Sequence, residues 1–253
     1  MSGHSKWSTI KHKKGAADAK RGKIFTKLIR EITTAARLGG EDPGSNPRLR
    51  AAITVGKQNN MPADNIKRAI AKGAGNDKDS NYDEIIYEGY GPNQVAVIVE
   101  CLTDNKNRTV ASIRSRFNKG GGSMGSSNSV MYAFDRKGII EVGKASIDED
   151  SLTEHILEGG AEDIDSSGPD NYQITTEAAD LHQVQSYLEE QGVEIVSSNL
   201  AYLPQNLLEI TDLAEAQQVM NFLDSMEDDD DVQRIHSNFD MTDEIAEQLA
   251  AEG

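Results

Sequence analysis

The extreme N-terminus contains the residues whose types and spacing point most clearly to a chemistry. Residues 4–14 are rich in lysine and histidine, and no acidic residue precedes Asp18. The candidate side chains in this N-terminal segment are Lys6, Trp7, Lys11, His12, Lys13 and Lys14. Lysines neutralise phosphates and release counterions, and an indole can stack on an unpaired base, so the segment predicts contact with a nucleic acid. The alternative is a solvated tail whose tryptophan packs on the neighbouring domain.

A basic face on the following helix adjoins this segment. From Ala16 to Leu38 apolar residues recur at helical spacing and place Ile24, Leu28 and Ile32 on one arc. The opposite arc carries the further candidates Lys20, Lys23, Lys27, Arg30 and Arg37. The outer face of a helix usually mixes both signs of charge, whereas this face is almost entirely positive. The segment and the face together predict a nucleic-acid-binding surface.

A second cationic group lies on a predicted helix, 106–118, and in the glycine-rich loop that follows it. Its candidates for a secondary contact are Lys106, Arg108, Arg116, Lys119, Gly120, Gly121 and Gly122. Glycine lets a backbone approach a phosphate closely, but it also ends helices in the left-handed conformation. The pattern favours a helix end followed by a loop over a contact site.

No arrangement typical of a catalytic, metal or cofactor site occurs in the sequence. The histidines have no metal-ligand spacing, and no nucleophile motif is present. Two stretches resemble nucleotide-binding loops but do not meet the requirements of such loops. Gly120–Gly125 follows a predicted helix, whereas a dinucleotide-binding loop follows a strand and precedes a helix. Gly138–Lys144 is followed by Ala145, which lacks the hydroxyl that would bind Mg²⁺. The sequence therefore predicts a protein that is not an enzyme. Acidic runs such as Glu227–Asp231 are interpreted as solvated loops, with weak Mg²⁺ binding or repulsion of nucleic acid as the alternative.

Charge is distributed very unevenly along the chain. Residues 1–78 hold 17 Lys/Arg against 6 Asp/Glu, residues 79–144 hold 8 of each, and residues 145–253 hold one Arg against 28 acids. The net charge of −16 therefore hides a basic module, for which this asymmetry predicts a polyanionic partner. Cys101 lies in an apolar run and is predicted to be a buried thiol. The lack of an apolar signal segment or a membrane-length apolar run predicts a cytoplasmic protein.

The elements that must position these residues are predicted to form three domains and a tail. Residues 73–81 are rich in glycine and polar residues and are predicted to be a linker that lets the helical part move. The predicted parts are 1–78, a basic helical domain with a flexible N-terminal tail; 82–135 with 206–240, an α/β domain; 136–205, an α/β domain inserted into it; and 241–253, an acidic tail.

The order of the predicted strands and helices gives the fold class. Residues 138–202 show the order β-α-β-β-α-β, which is the ferredoxin-like split unit. The segment 83–134, which includes a predicted strand at 129–134, lacks the second helix and last strand of such a unit, and residues 207–240 can supply them. We therefore expect an α+β protein with an N-terminal three-helix domain and two ferredoxin-like α/β domains, one inserted in the other.

Five stretches of the chain resemble the YebC family: His4–Trp7, Asp18–Lys27, Asn46–Ala52, Tyr87–Pro92 and Thr103–Thr109. The resemblance implies the same three domains, with the two α/β domains around a cleft. Members of this family are described as bacterial transcriptional regulators that bind DNA, and also as ribosome-associated factors that help to translate proline-rich stretches. The mitochondrial translational activator of cytochrome oxidase belongs to the same family. In the glycine-rich loop this chain has Asn128 where the family has glycine, and asparagine tolerates a positive φ.

We expect a non-enzymatic, cytoplasmic, nucleic-acid-binding regulator of gene expression, and specifically a transcriptional regulator that binds DNA. One alternative keeps the basic surface but replaces DNA by ribosomal RNA and tRNA, in a translation factor on the ribosome. No base-reading helix stands out, which favours RNA or nonspecific backbone binding. A second alternative is a protein-interaction module that contacts other regulators through its acidic domains, and a third is a hydrolase with a site in the cleft between domains. A membrane is not a predicted partner.

Overall fold

A computed structural model describes residues 17–75, 81–168 and 170–251, with side chains from residue 22 onward. In chain order its elements are α1 Ala17–Gly39, α2 Pro47–Gln58, α3 Ala63–Ala74, β1 Asp83–Tyr90, β2 Ala96–Thr103, α4 Lys106–Lys119, β3 Ser123–Met124, β4 Phe134–Gly143, α5 Glu149–Gly159, β5 Asp163–Asp165, β6 Asn171–Glu177, α6 Leu181–Glu190, β7 Ile195–Pro204, β8 Leu208–Ile210, α7 Leu213–Glu227, β9 Val232–Ser237, β10 Phe239–Met241 and α8 Asp243–Ala251. The described residues divide into two compact units: an inserted unit, residues 135–203, and a main unit formed by the described residues before and after it. The predicted α+β class, with a helical region before β-rich parts, is confirmed.

Asn46 fixes the junction between the first two helices of the main unit. Its side-chain oxygen accepts a hydrogen bond from the Leu49 amide at 3.1 Å, which caps α2. Its side-chain nitrogen donates to the carbonyls of Ala35 and Gly40, both at 2.8 Å, and so holds the end of α1. The three helices enclose a small core that includes the buried side chains of Ile32, Leu49, Met61 and Ile66.

The larger sheet of the main unit is antiparallel, with the strand order β3-β1-β2-β9. β1 and β2 form a hairpin in which Asp83 is opposite Thr103 and Tyr90 is opposite Ala96. The β2-α4-β3 crossover encloses β1, and β9 follows α7 on the other side of β2. The strands therefore neighbour one another as in a ferredoxin-like sheet. The difference is that β1, which takes the place of the third strand of that fold, comes first in the chain. Cys101 in β2 is buried as predicted, and this burial raises the pKa of its thiol.

The predicted strand at 129–134 is wrong. The chain there makes a turn and a 3₁₀ helix, Met131–Ala133, and β4 begins only at Phe134. The cause is Glu88, a buried carboxylate on β1 that accepts hydrogen bonds from three backbone amides, those of Asn128 at 2.7 Å, Val130 at 3.0 Å and Met131 at 2.8 Å. These amides are therefore not available for a strand ladder. Asn128 has a φ of 65°, as its side chain permits.

The inserted unit has the predicted order of elements, β4-α5-β5-β6-α6-β7, and its sheet has the strand order β5-β6-β4-β7. This is the ferredoxin-like arrangement. The helices cover one face of the sheet, where Ile140, Leu152, Ile174 and Leu188 form a fully buried core. The apolar residues of these strands and helices therefore form a separate core for this unit.

The C-terminal residues predicted to be an acidic tail are instead part of the main core over Asp243–Ala251. This segment is the helix α8, in which Ile245 and Leu249 lie four residues apart and are buried. They pack in the same core as the residues of α7. The acidic composition of the segment hid this apolar stripe, because its outward residues carry the charge.

Candidate nucleic-acid interface

The predicted residues of the N-terminal segment lie outside the described residues: Lys6, Trp7, Lys11, His12, Lys13 and Lys14. Lys20 lies within α1, but its side chain is also outside the described part. Their contact with a nucleic acid therefore stays a prediction. The remaining residues of the basic face have defined positions.

The basic face of α1 lies against an acidic turn, residues 227–231, which begins at the last residue of α7. Lys23 Nζ lies 2.8 Å from the Asp228 carboxylate. Lys27 Nζ donates a hydrogen bond of 2.6 Å to the carbonyl of Glu227. Two of the predicted phosphate-binding lysines are thus bound by a part of the chain about 200 residues further on.

Arg30 makes the deepest contact between α1 and the acidic turn. Its guanidinium lies 2.5 Å from the Asp231 carboxylate and donates to the carbonyls of Asp230 at 2.6 Å and Leu102 at 3.2 Å. The side chains of Arg30 and Asp231 are only 13% and 5% exposed, whereas those of Lys23 and Asp228 are 44% and 66% exposed. Removing one partner of a buried pair costs several kcal/mol, while exposed pairs contribute about 0–1 kcal/mol. Arg30 is therefore the main electrostatic attachment of α1.

Two further contacts join the helical residues to β1 and to Tyr82, the residue before it. Arg37 donates a hydrogen bond of 2.6 Å to the carbonyl of Tyr82. Arg48 of α2 pairs with Glu31 at 2.7 Å and with Glu84 of β1 at 2.5 Å. The helical residues are thus attached to the first strand as well as to the acidic turn.

The acidic turn is not the solvated loop that its composition suggests, because Asp229 and Asp231 are buried. Asp231 accepts hydrogen bonds from Thr109 Oγ1 at 2.6 Å and from Arg108 at 2.9 Å, in addition to Arg30. Burial alone raises the pKa of the Asp231 carboxyl. The hydrogen bonds from Thr109, Arg108 and Arg30 outweigh burial and hold that pKa below its usual range.

Two of the predicted secondary-contact residues also bind the acidic turn. Arg108 bridges Asp231 and Asp104, at 2.9 Å and 2.7 Å. Arg116 lies 3.1 Å from Asp229 and donates to the carbonyl of Ser225. α1 and α4 therefore supply arginines to the same carboxylates, and the acidic turn joins the two helices.

The rest of the secondary group lies at the two ends of α4, with Lys106 at its start and Lys119 and the glycines at its C-terminal end. Lys106 is exposed and lies 3.3 Å from Asp83, and Lys119 lines an open groove of about 480 Å³ next to Gly120. The three glycines end the helix as predicted, since the amide of Gly122 donates to the carbonyl of Phe117 at 2.9 Å and Gly121 has a φ of 87°. A Cβ atom on Gly120 would lie 2.3 Å from the Phe222 ring, so close packing also requires glycine there.

The exposed basic residues of α3 are not among the residues predicted from the sequence. In this helix Ile66, Ala69 and Gly73 face the core, and Lys67, Arg68 and Lys72 are exposed. These three residues could have been found from the sequence by projecting residues 63–74 on a helix. The spacing of the apolar residues then places the three basic side chains on the outer side. Within the described residues, no group of His, Cys, Asp and Glu side chains could hold a metal ion. None of the helices in that part of the chain is long and apolar enough to cross a membrane.

These features define a class of protein, an α+β protein in which a basic helical region precedes two β-rich units. The comparisons with known proteins specify it further. Residues 5–76 match the family described as "TACO1/YebC protein N-terminal domain", and residues 82–239 match "TACO1/YebC second and third domain". The chain belongs to the TACO1/YebC family.

Curated relatives match over the whole chain. A protein of Desulfotalea psychrophila is 54% identical over 99% of this chain and 100% of its own length. One from Desulforapulum autotrophicum is 52% identical over 98% of this chain and 100% of its own. Both are named "Probable transcriptional regulatory protein". The crystal structure of the "Conserved Hypothetical Protein Aq1575" from Aquifex aeolicus is 45% identical, with a TM-score of 0.83 over 90% of this chain and 93% of that one.

Proposed function

We propose that the protein is a non-enzymatic, cytoplasmic regulator of gene expression that binds DNA through residues 1–78. The observation that carries this proposal is the excess of positive charge in that region, with 17 Lys/Arg against 6 Asp/Glu. The curated relatives are named as regulators of transcription, which supports DNA as the partner. Binding to the phosphate backbone requires positive charge and no catalytic group.

The structure limits which of these charges can contact a phosphate directly. Lys23, Lys27 and Arg30 bind the acidic turn, so a phosphate would have to compete with carboxylates or carbonyls for them. The proposal therefore assigns the main phosphate contacts of this region to Lys11, Lys13 and Lys14 and to bases outside the contact with the acidic turn. The acidic residues after Lys144 also favour the basic end as the binding site. Their carboxylates repel phosphates that come within a Debye length, which is about 10 Å at 0.1 M salt.

The experiment measures the affinity of the full chain for a 20-base-pair DNA duplex by fluorescence anisotropy at several salt concentrations. Each phosphate contact contributes about −0.9 to the slope of log K against log salt for duplex DNA. A variant with Lys11, Lys13 and Lys14 changed to Gln should have a slope smaller by about 2.7. Arg234→Gln is the matched control, since it removes an exposed base from the acidic part of the chain and should leave the slope unchanged.

The same assay with single-stranded and duplex RNA separates the proposal from its alternative. Tighter binding to RNA than to DNA of the same length would support a ribosome-associated translation factor and contradict the assignment to DNA. If the protein bound none of the three probes at low salt, or if its binding did not weaken as salt is added, the proposal as a whole would be contradicted.

A further inference from the structure

The basic side chains of the helical region differ in how they are used. Six of those between residues 22 and 75 hydrogen-bond to carboxylates or carbonyls outside their own helix: Lys23, Lys27, Arg30, Arg37, Arg48 and Arg50. These contacts hold the helices to each other and to the β-rich part of the main unit. The remaining four, Lys57, Lys67, Arg68 and Lys72, have no carboxylate partner among the residues that the structure describes.

Three of the four form one surface, the α3 basic face, made by Lys67, Arg68 and Lys72. The opposite side of α3 packs so closely on α1 that a Cβ atom on Gly73 would lie 2.2 Å from the carbonyl of Thr33. This packing fixes the rotation of α3 and keeps its three bases exposed.

Local contacts orient these bases without neutralising them. Arg68 donates to the Asp64 carbonyl at 3.2 Å and to the Asn65 side chain at 2.9 Å, both within its own helix. Lys72 lies 5.8 Å from the centre of the Tyr82 ring. Neither contact involves a negative charge, so the positive charge of the face is available to an external anion.

We propose that the α3 basic face is a binding site for the phosphate backbone of duplex DNA, in addition to the N-terminal segment. This inference rests on the proposed DNA-binding function and names a surface for it. An α-helix rises 1.5 Å per residue, so Lys67 and Lys72 are about 7.5 Å apart along the axis. Successive phosphates of one DNA strand are about 3.4 Å apart along the helix axis. The axial separation of Lys67 and Lys72 is therefore close to that of two phosphates about two steps apart.

The position of α3 in the chain favours DNA over an RNA duplex. α2 and α3 are joined by only residues 59–62, and Asn60 in this turn has a φ of 57°. A helix that follows another helix after such a short turn is the element that many regulators place against the major groove. The major groove of B-DNA is about 12 Å wide and admits an α-helix, whereas the deep, narrow groove of A-form RNA does not.

The test is the salt dependence of binding to a 20-base-pair DNA duplex, measured with the full chain. The triple variant Lys67→Gln, Arg68→Gln, Lys72→Gln should have a slope smaller by about 2.7, because three phosphate contacts are lost. The matched control is Arg114→Gln, Arg136→Gln, Arg234→Gln, which removes three exposed bases from the β-rich units and should keep the original slope. Asp64→Asn removes the acidic residue next to the face and should tighten binding.

Lysine acetylation of the unmodified protein provides a second measurement that does not depend on a variant's folding. DNA should protect Lys67 and Lys72 from acetylation, while Lys144 of the inserted unit should react equally with and without DNA. If the unmodified chain binds DNA but the triple variant keeps its slope, or the two lysines are not protected, the α3 site is wrong and the proposed function stands. If the unmodified chain does not bind duplex DNA, or binds an RNA duplex more tightly, the proposed function itself fails.

Discussion

Changing Asp231 to Asn tests whether the acidic turn holds the helical region in place. The carboxylate of Asp231 is the shared partner of Arg30, Arg108 and Thr109. The substitution keeps the size of the side chain but removes its charge, so the buried guanidinium of Arg30 loses its counter-ion. Breaking a buried ion pair in this way costs about 3–5 kcal/mol. We expect a loss of unfolding free energy in this range.

The matched control is Lys23→Gln, which removes the exposed Lys23–Asp228 pair of the same contact. That pair should contribute about 0–1 kcal/mol. Urea unfolding followed by circular dichroism measures both variants, and hydrogen exchange on α1 locates the effect. If Asp231→Asn costs no more than Lys23→Gln, or leaves the exchange of α1 unchanged, the turn does not anchor the helix.

The pH dependence of stability gives an independent measurement of the same carboxylate. The folded-state pKa of Asp231 is lower than its unfolded value, so ionised Asp231 stabilises the fold. This contribution is complete above the unfolded pKa of about 3.9 and is lost as the pH falls through the lower folded-state value. The unmodified protein should therefore lose more stability between pH 4 and pH 2 than the Asp231→Asn variant. Equal losses would show that Asp231 is not the responsible group.

Three further outcomes follow from the packing of the main unit. Gly120→Ala should lower the unfolding free energy by about 1–3 kcal/mol, because its Cβ atom would overlap an aromatic ring, whereas Gly22→Ala, with no atom within 4 Å, should not. Glu88→Gln should cost about 1–3 kcal/mol and speed hydrogen exchange over residues 128–131, since an amide cannot accept from three backbone N–H groups as the carboxylate does. The buried Cys101 thiol, with its raised pKa, should react with a thiol reagent only after unfolding in urea, and rapid reaction in buffer would contradict its burial.

Local periodicity was sufficient for α1 to α7 and for the order of elements in the inserted unit, but not for α8, which was predicted to be a tail. The apolar arc of α1 correctly placed Ile32 in a core and the basic residues on the other side. Periodicity could not show that this other side is covered. The partners of Lys23 and Arg30 are about 200 residues away in the chain, and an amphipathic pattern describes only one helix at a time.

The acidic turn and the wrong strand have the same explanation. Composition predicts that a run of five acids is solvated, but Asp229 and Asp231 are buried because α4 supplies Arg108, Thr109 and Arg116 from more than 100 residues earlier. Glu88 likewise takes the amides of a segment about 40 residues later. In each case a buried carboxylate met its partners only through the tertiary fold, and no pattern within a short window contains that information.

The inserted unit leaves and rejoins the main unit at neighbouring points. The amide of Gln205, just after the unit, donates a hydrogen bond of 2.9 Å to the carbonyl of Ala133, just before it. In terms of the gene, residues 135–203 are thus a single cassette whose two ends meet. A short linker in its place, or a reporter protein whose termini are close together, can be spliced in without stretching the surrounding chain. The inserted unit and the main unit can therefore be exchanged and evolve separately.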